Sequence, residues 1–250
     1  MALDFPGSPS NGQSYKGFVY DSTAGVWRVR GESPIGFASV SATTGSPTEG
    51  SRTIDGTDYN VYVFTGSGSI TFDNPGFARI LAVGGGGGGV GYNSSKAAAG
   101  GGGGVRWGSF EVSATTYTVE VGAGGAAAGN NQAGTGGDSA VTGILVSSGA
   151  RGGNHLNTFV SHAYPGFGGN GGSNGRSNGD GLALGGGAGG LAYGSVVAGI
   201  TFDWSGSSVE YGLGQQTSLN STRAGTANTG EAGRYVGNGG SGVVIVMVRA

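Results

Sequence analysis

The chain has 250 residues, of which 61 are Gly, 10% are charged and none is Cys; 12 basic and 14 acidic side chains leave a net charge of −2. Missing cysteine excludes disulfide scaffolds and thiolate metal centres, and the lack of a basic excess excludes nucleic-acid binding through counterion release. No apolar run approaches the roughly 20 residues that cross a bilayer, the opening Met-Ala-Leu-Asp-Phe-Pro lacks the basic-then-apolar pattern of a signal peptide, and the glycines do not recur at every third position as in collagen.

Glycine at this level reads as low complexity, and each glycine loses more backbone freedom on folding than any other residue. Against disorder stand a 36% hydrophobic share, 10 Tyr, 10 Phe and 3 Trp, with too little charge to hold the chain open by self-repulsion. The expectation is a folded chain of one main domain with a small appendage.

Residues 1–30 form the appendage. Pro6, Pro9 and Asn11-Gly12 mark turns, and Phe18–Tyr20 and Val26–Val29 read as two strands around a loop at Asp21–Gly25. Two strands are marginal alone in water, so this module is expected to lean on a partner. Residues 31–57, rich in Ser, Thr, Gly and Pro, read as an extended linker with Ile35, Phe37 and Val40 as anchor points. From residue 58 to 250 one pattern repeats: strand, then glycine run. Tyr59–Phe64, Ser69–Phe72 and Ala78–Val83 lead into Gly84–Gly89. Gly108–Val112 and Tyr117–Val121 alternate, with Phe110, Val112, Tyr117, Val119 and Val121 on buried faces, and lead into Gly122–Gly129. Ala140–Val146 and Leu182–Leu184 end in the same way. Val243–Val248 is apolar on both faces and reads as a central covered strand. No amphipathic helix is visible.

A glycine run has only backbone N–H and C=O to offer, and if buried these must be paired. The extended left-handed threefold helix of about 3.1 Å per residue leaves them free to bond sideways, and only glycine allows such helices to pack closely. The predicted fold is therefore all-β, a sandwich-like body of short strands combined with packed polyglycine-II-type helices and almost no α-helix. The alternative is ordinary glycine loops over a β-sandwich.

On the first of these readings, the glycine-poor stretches become loops between runs: Val90–Ala99, Asn154–Phe167, Leu191–Tyr211 and Gln215–Thr229. Aromatic rings on loops of a rigid scaffold suit surface recognition. Candidate contact residues are Tyr92, His155, Asn157, Phe159, His162, Tyr164, Phe167, Asp203, Trp204 and Tyr211; each ring could equally cap the glycine bundle as a secondary core. Asn154, Asn157 and Asp203 would supply hydrogen bonds.

Catalytic and cofactor motifs carry little weight. Matches to G-x-G-x-x-G are uninformative amid so much Gly and lack a following helix. Neither Lys16 nor Lys96 sits in a P-loop. Gly171–Gly175 spells G-x-S-x-G without the strand-to-helix elbow. His155 and His162 read as loop hydrogen-bonding residues rather than metal ligands, the Gly-Asp turns at Asp138 and Asp180 are not tandem calcium repeats, and the carboxylates form no local acid–base pair. The expectation is a non-catalytic protein without cofactor or metal.

Asp4, Phe5, Pro6, Pro9, Gly12, Gln13, Tyr15, Tyr20, Asp21 and Trp27 together resemble a short N-terminal module of bacteriophage tail-fibre and appendage proteins. The body, from VYVFTGSGSITF through ARILAVGGGGGG to GSGVVIVMVR, resembles the glycine-rich domain found at the ends of phage fibres. The resemblance implies a virion protein in which Phe5, Tyr15, Tyr20 and Trp27 attach to other virion proteins. The glycine-rich part would meet a host surface glycan or outer-membrane protein. A homotrimer, assembly in the host cytoplasm and location on an external appendage of the virion follow by analogy. The alternative is a structural virion component without receptor binding, such as a head fibre, capsid decoration or neck appendage.

Overall fold

Val83 and Val105 pair at the end of an antiparallel ladder, and the next residue along, Gly84, donates its N–H to Gly104 at 3.0 Å. Strand passes into glycine run without a change of partner, and repetition of this event organises the fold.

The computed structural model describes residues 7–11, 13–15, 18–22, 25–29, 37–93, 96–129, 132–150, 152, 182–183, 198–215 and 221–250. The chain divides into two compact units, Met1–Gly36 and Phe37–Ala250. In the first, β1 (Ser14–Tyr15), β2 (Phe18–Asp21) and β3 (Val26–Val29) form an antiparallel sheet in that order. The second holds β4 (Ser39–Thr44), β5 (Thr48–Ile54), β6 (Thr57–Phe64), β7 (Gly68–Asn74), β8 (Gly76–Val83), β9 (Val90–Asn93), β10 (Lys96–Ala98), β11 (Val105–Val112), β12 (Thr116–Glu120), β13 (Ser139–Val141), β14 (Leu145–Ser147), β15 (Leu182–Ala183), β16 (Ile200–Phe202), β17 (Val209–Tyr211) and β18 (Val243–Arg249). The described residues are all-β, with no helix.

Two five-stranded sheets, ordered β11-β8-β18-β6-β5 and β14-β13-β12-β7-β4, make a sandwich. Phe64, Ile80, Val244 and Val246 of the first meet Ile70, Phe72, Val119 and Val141 of the second in the main core. β18 alternates its side chains between two apolar environments. Val244, Val246 and Val248 face that core, while Val243, Ile245 and Met247 face a second cluster on the outer side of the same sheet. The β16–β17 hairpin covers that outer side with Phe202, Val209 and Tyr211. An unbroken apolar strand is what burial on both faces requires.

The expected linker over 31–57 is corrected over its described part: β4 and β5 are edge strands of the two sheets, pairing with β7 and β6. The sequence Thr48–Ile54 is polar and exposed along nearly its whole length, so it lacks the alternation that marks a half-buried strand. Its turn is nevertheless legible: Asp55 and Gly56, both at positive φ (50° and 73°), close the two-residue hairpin into β6. The single strand expected over 140–146 is two, because Gly143 at φ 83° turns the chain and brings Val141 opposite Leu145.

Gly84–Gly89 lies at the centre of the glycine-rich part. Its N–H groups address three neighbours in rotation. Gly84 and Gly87 donate to Gly104 and Gly101, Gly85 and Gly88 to Gly137 and Gly134, and Gly86 and Gly89 to Gly240 and Gly237. Its carbonyls accept from three other runs: Gly125 and Ala128 reach Gly86 and Gly89, Ala150 reaches Gly85, and Gly233 reaches Gly87. These six surrounding runs also bond to one another in a closed circuit. Gly104 donates to Ser148, Gly136 to Ala150, Gly137 to Ala123, Gly242 to Gly122, Gly230 to Ser241, and Gly103 to Gly230. A Cβ added at Gly85, Gly86, Gly88, Gly100 or Gly103 would collide with a neighbouring backbone carbonyl.

Sheets packed through side chains lie about 10 Å apart, whereas bonded neighbours lie about 4.8 Å apart. Once the side chains stop at Gly84, the two layers close that gap and bond directly. Each bond is worth about 1 kcal/mol net, against about 1–2 kcal/mol to order a residue's backbone. The runs alone therefore roughly break even at best, and the apolar sandwich from which they extend holds them in place.

Candidate functional site

The strand-to-run transitions gather at one end of the sandwich: Val83, Val105 and Val243 sit opposite one another in the first sheet, and Ser139 and Ser147 in the second. The opposite end carries Phe37, which bridges to Phe77, and the Arg249 guanidinium 4.3 Å from the Phe37 ring centre. The second unit thus begins and ends at its base, and two of the described connections between runs lie beyond the lattice. One connection holds β9 and β10, with Val90 bridging to Ala128. Another is the Arg234–Gly237 turn, where Tyr235 adopts φ 53° and its ring lies against Gly91.

Polar side chains complete the lattice rim. The Asp138 carboxylate accepts from the Gly149 N–H at 2.9 Å, the Ser139 hydroxyl from Gly122 at 3.0 Å, and the Asn238 amide oxygen from Ala127 at 2.8 Å. Among the described residues Glu231 is the buried charge. Its carboxylate accepts from the Gln215 side chain, from the Thr226 N–H at 2.8 Å and from the half-exposed Arg223 guanidinium at 3.0 Å. It ties residues 223–226 to the lattice.

A second feature lies on the outer face of the first sheet. Phe202 stands edge-to-face with Trp107 at 5.1 Å and with Trp204 at 5.4 Å, and Tyr211 lies 6.4 Å away. Tyr211 is buried, and its hydroxyl donates to Ser205 at 3.3 Å. Burial pushes its phenol above the ordinary value, and the Ser205 bond pulls partly back.

A family model described as a glycine-rich domain matches residues 63–249. The chain belongs to that family. The glycine-rich domain so defined runs from the end of β6 through β18; β4, β5 and the first unit precede it. No curated protein matches the chain.

Of the sequence candidates within the glycine-rich domain, Asp203, Trp204 and Tyr211 come together on one hairpin, with Asp203 exposed, Trp204 half-buried and Tyr211 in the core. Tyr92 lies in β9 beyond the lattice. His155, Asn157, Phe159, His162, Tyr164 and Phe167 lie outside the described residues, as does Phe5. In the first unit Trp27 gathers Tyr20 at 5.4 Å and Tyr15 at 6.2 Å. Sequence reasoning missed Trp107, which is 39% exposed on a strand. Its signal was the neighbouring alternation, which places it on the face opposite to buried Val112 and half-buried Phe110.

Proposed function

We propose that this chain is a bacteriophage virion fibre or appendage protein that attaches the particle to the host cell surface. The observation that carries this reading is the polarity of the second unit. Its chain ends lie at the base, where Arg249 covers Phe37, and the β9–β10 connection and the Arg234–Gly237 turn lie at the far end. That arrangement presents loops outward on a framework with almost no side chains of its own. In this reading the runs are polyglycine-II helices. The rotation of Gly84–Gly89 through three partners, each met again three residues later, supports that geometry. The Tyr15, Tyr20 and Trp27 cluster of the first unit would dock on other virion proteins, and the assembly would be a homotrimer on an external appendage. The receptor would be a host surface glycan or outer-membrane protein, and the role non-catalytic. Many copies on one particle would raise weak contacts to useful avidity.

The test is attachment of the purified full chain to cells that the phage infects. Saturable binding that competes with phage adsorption supports the reading; no binding at any concentration overturns it. Antibody labelling of virions places the protein: label over the head favours a decoration or head-fibre role, and label at the tail end favours attachment.

A further inference from the structure

The rings of Trp107, Phe202 and Trp204 form a stepped surface at the rim of the hairpin. Trp107 comes from β11 and the other two from β16 and the turn that follows. Both contacts are edge-to-face, with interplanar angles of 65° and 62°, so ring area stays open to the outside. Trp107 is 39% exposed, and a hydrophobic surface of that size on an edge strand has no role in the core.

Polar groups of the right kind lie beside these rings. Among the described residues neither the Trp107 nor the Trp204 indole N–H has a hydrogen-bond partner, and the exposed Asp203 carboxylate has none. The Asp203 carbonyl is held by the Gly206 N–H at 3.0 Å, which fixes the turn. The Arg52 guanidinium lies against Gly206 of that turn. Asp203 and Arg52 carry opposite formal charges, and β5, which holds Arg52, is the sheet edge opposite to β11. What remains is an apolar ring surface edged by N–H donors and one carboxylate acceptor. A pyranose suits these groups: its C–H face stacks on an indole, its hydroxyls donate to the carboxylate, and its oxygens accept from the indole N–H groups.

We propose that Trp107, Phe202, Trp204 and Asp203 form a saccharide-binding subsite for the face of a neutral pyranose of a cell-surface glycan. The cell-surface origin rests on the attachment reading; binding of the sugar ring does not. One such site binds weakly, with a Kd of about 1 mM, and repetition on a particle supplies the avidity.

The three tryptophans, Trp27, Trp107 and Trp204, make the test direct. In a full chain carrying Trp27→Phe, emission arises from the proposed subsite alone. Methyl glycosides of glucose, galactose, mannose and N-acetylglucosamine are titrated, with saturation-transfer NMR as a second readout. The expected result is a saturable emission change with at least one glycoside. Trp107→Ala should weaken it tenfold or more, and Asp203→Asn, on an exposed turn, severalfold without lowering the melting midpoint. Trp107→Phe, which keeps a ring, should recover part of the affinity. A flat titration for every glycoside overturns the proposal, as does binding that persists unchanged in Trp107→Ala and Asp203→Asn. Loss of cell attachment with intact glycoside binding counts against the attachment reading and leaves the subsite standing.

Discussion

Gly85 donates its N–H to the carbonyl of Gly137 at 2.8 Å, joining a residue that continues β8 of one sheet to a residue that leads into β13 of the other. Two β-layers that meet through side chains in the sandwich core share a backbone hydrogen bond here. The lattice is therefore a continuation of the sandwich by other means: the same chains, in the same pairing, with the spacer of side chains withdrawn.

Gly86→Ala should be among the most damaging single changes in the chain. Its new methyl would collide with the Glu231 and Gly230 carbonyls, which other bonds hold in place. Expected loss is about 3 kcal/mol or more, read as a fall in the denaturant midpoint. Gly50→Ala is the counterpart. Gly50 lies on exposed β5 with nothing within 4 Å of an added Cβ, and the change should be neutral or stabilise by up to about 1 kcal/mol. Equal effects of the two would contradict a close-packed lattice.

Glu231→Ala should cost about 3 kcal/mol, because it leaves the buried Gln215 amide and the Thr226 N–H without their acceptor. Glu120→Ala, on an exposed position of β12, should stay within about 0.5 kcal/mol. Urea titrations of the two variants side by side give the comparison.

Alkaline solution should weaken the fold through Tyr211 and Tyr62. Burial raises both phenols above 10.0, and Glu49 and Asp73 add to the rise at Tyr62. A raised folded value means that the folded state favours the neutral phenol. Their contribution is full below 10.0 and is lost as pH climbs through the raised values. The denaturant midpoint followed against pH beside tyrosinate absorbance should fall across that window, and less steeply in Tyr211→Phe.

Acid acts on a different contact. The hydrogen bond from the Ser39 hydroxyl, at 2.5 Å, holds the exposed Asp73 carboxylate below its ordinary value of 3.8. The contact favours the folded state above that value and is lost as pH falls through the lowered one. Ser39→Ala should return the Asp73 titration towards 3.8, as read by carboxyl-detected NMR.

How much of this was legible beforehand differs from element to element. Val243–Val248 announces a strand covered on both faces, since no other setting tolerates six consecutive apolar residues in a mostly polar chain, and β18 occupies that place. Thr48–Ile54 is silent, because an edge strand in water needs no apolar side; only Asp55-Gly56 betrays it. Trp204 stood out as a ring in a glycine-poor stretch. Trp107 did not, because its site is completed by Phe202 from a hairpin nearly a hundred residues later in the chain.

Composition by itself determined that Gly84–Gly89 must settle its hydrogen bonds through the main chain, for those residues carry nothing else. Together with the absence of any amphipathic helical pattern, it also determined the all-β character, since interior glycine penalises helix. Which run meets which was decided only in three dimensions. Glycines are chemically identical, so Gly85 finds Gly137 and Gly86 finds Gly240 because the flanking strands, whose side chains do differ, deliver them there in register.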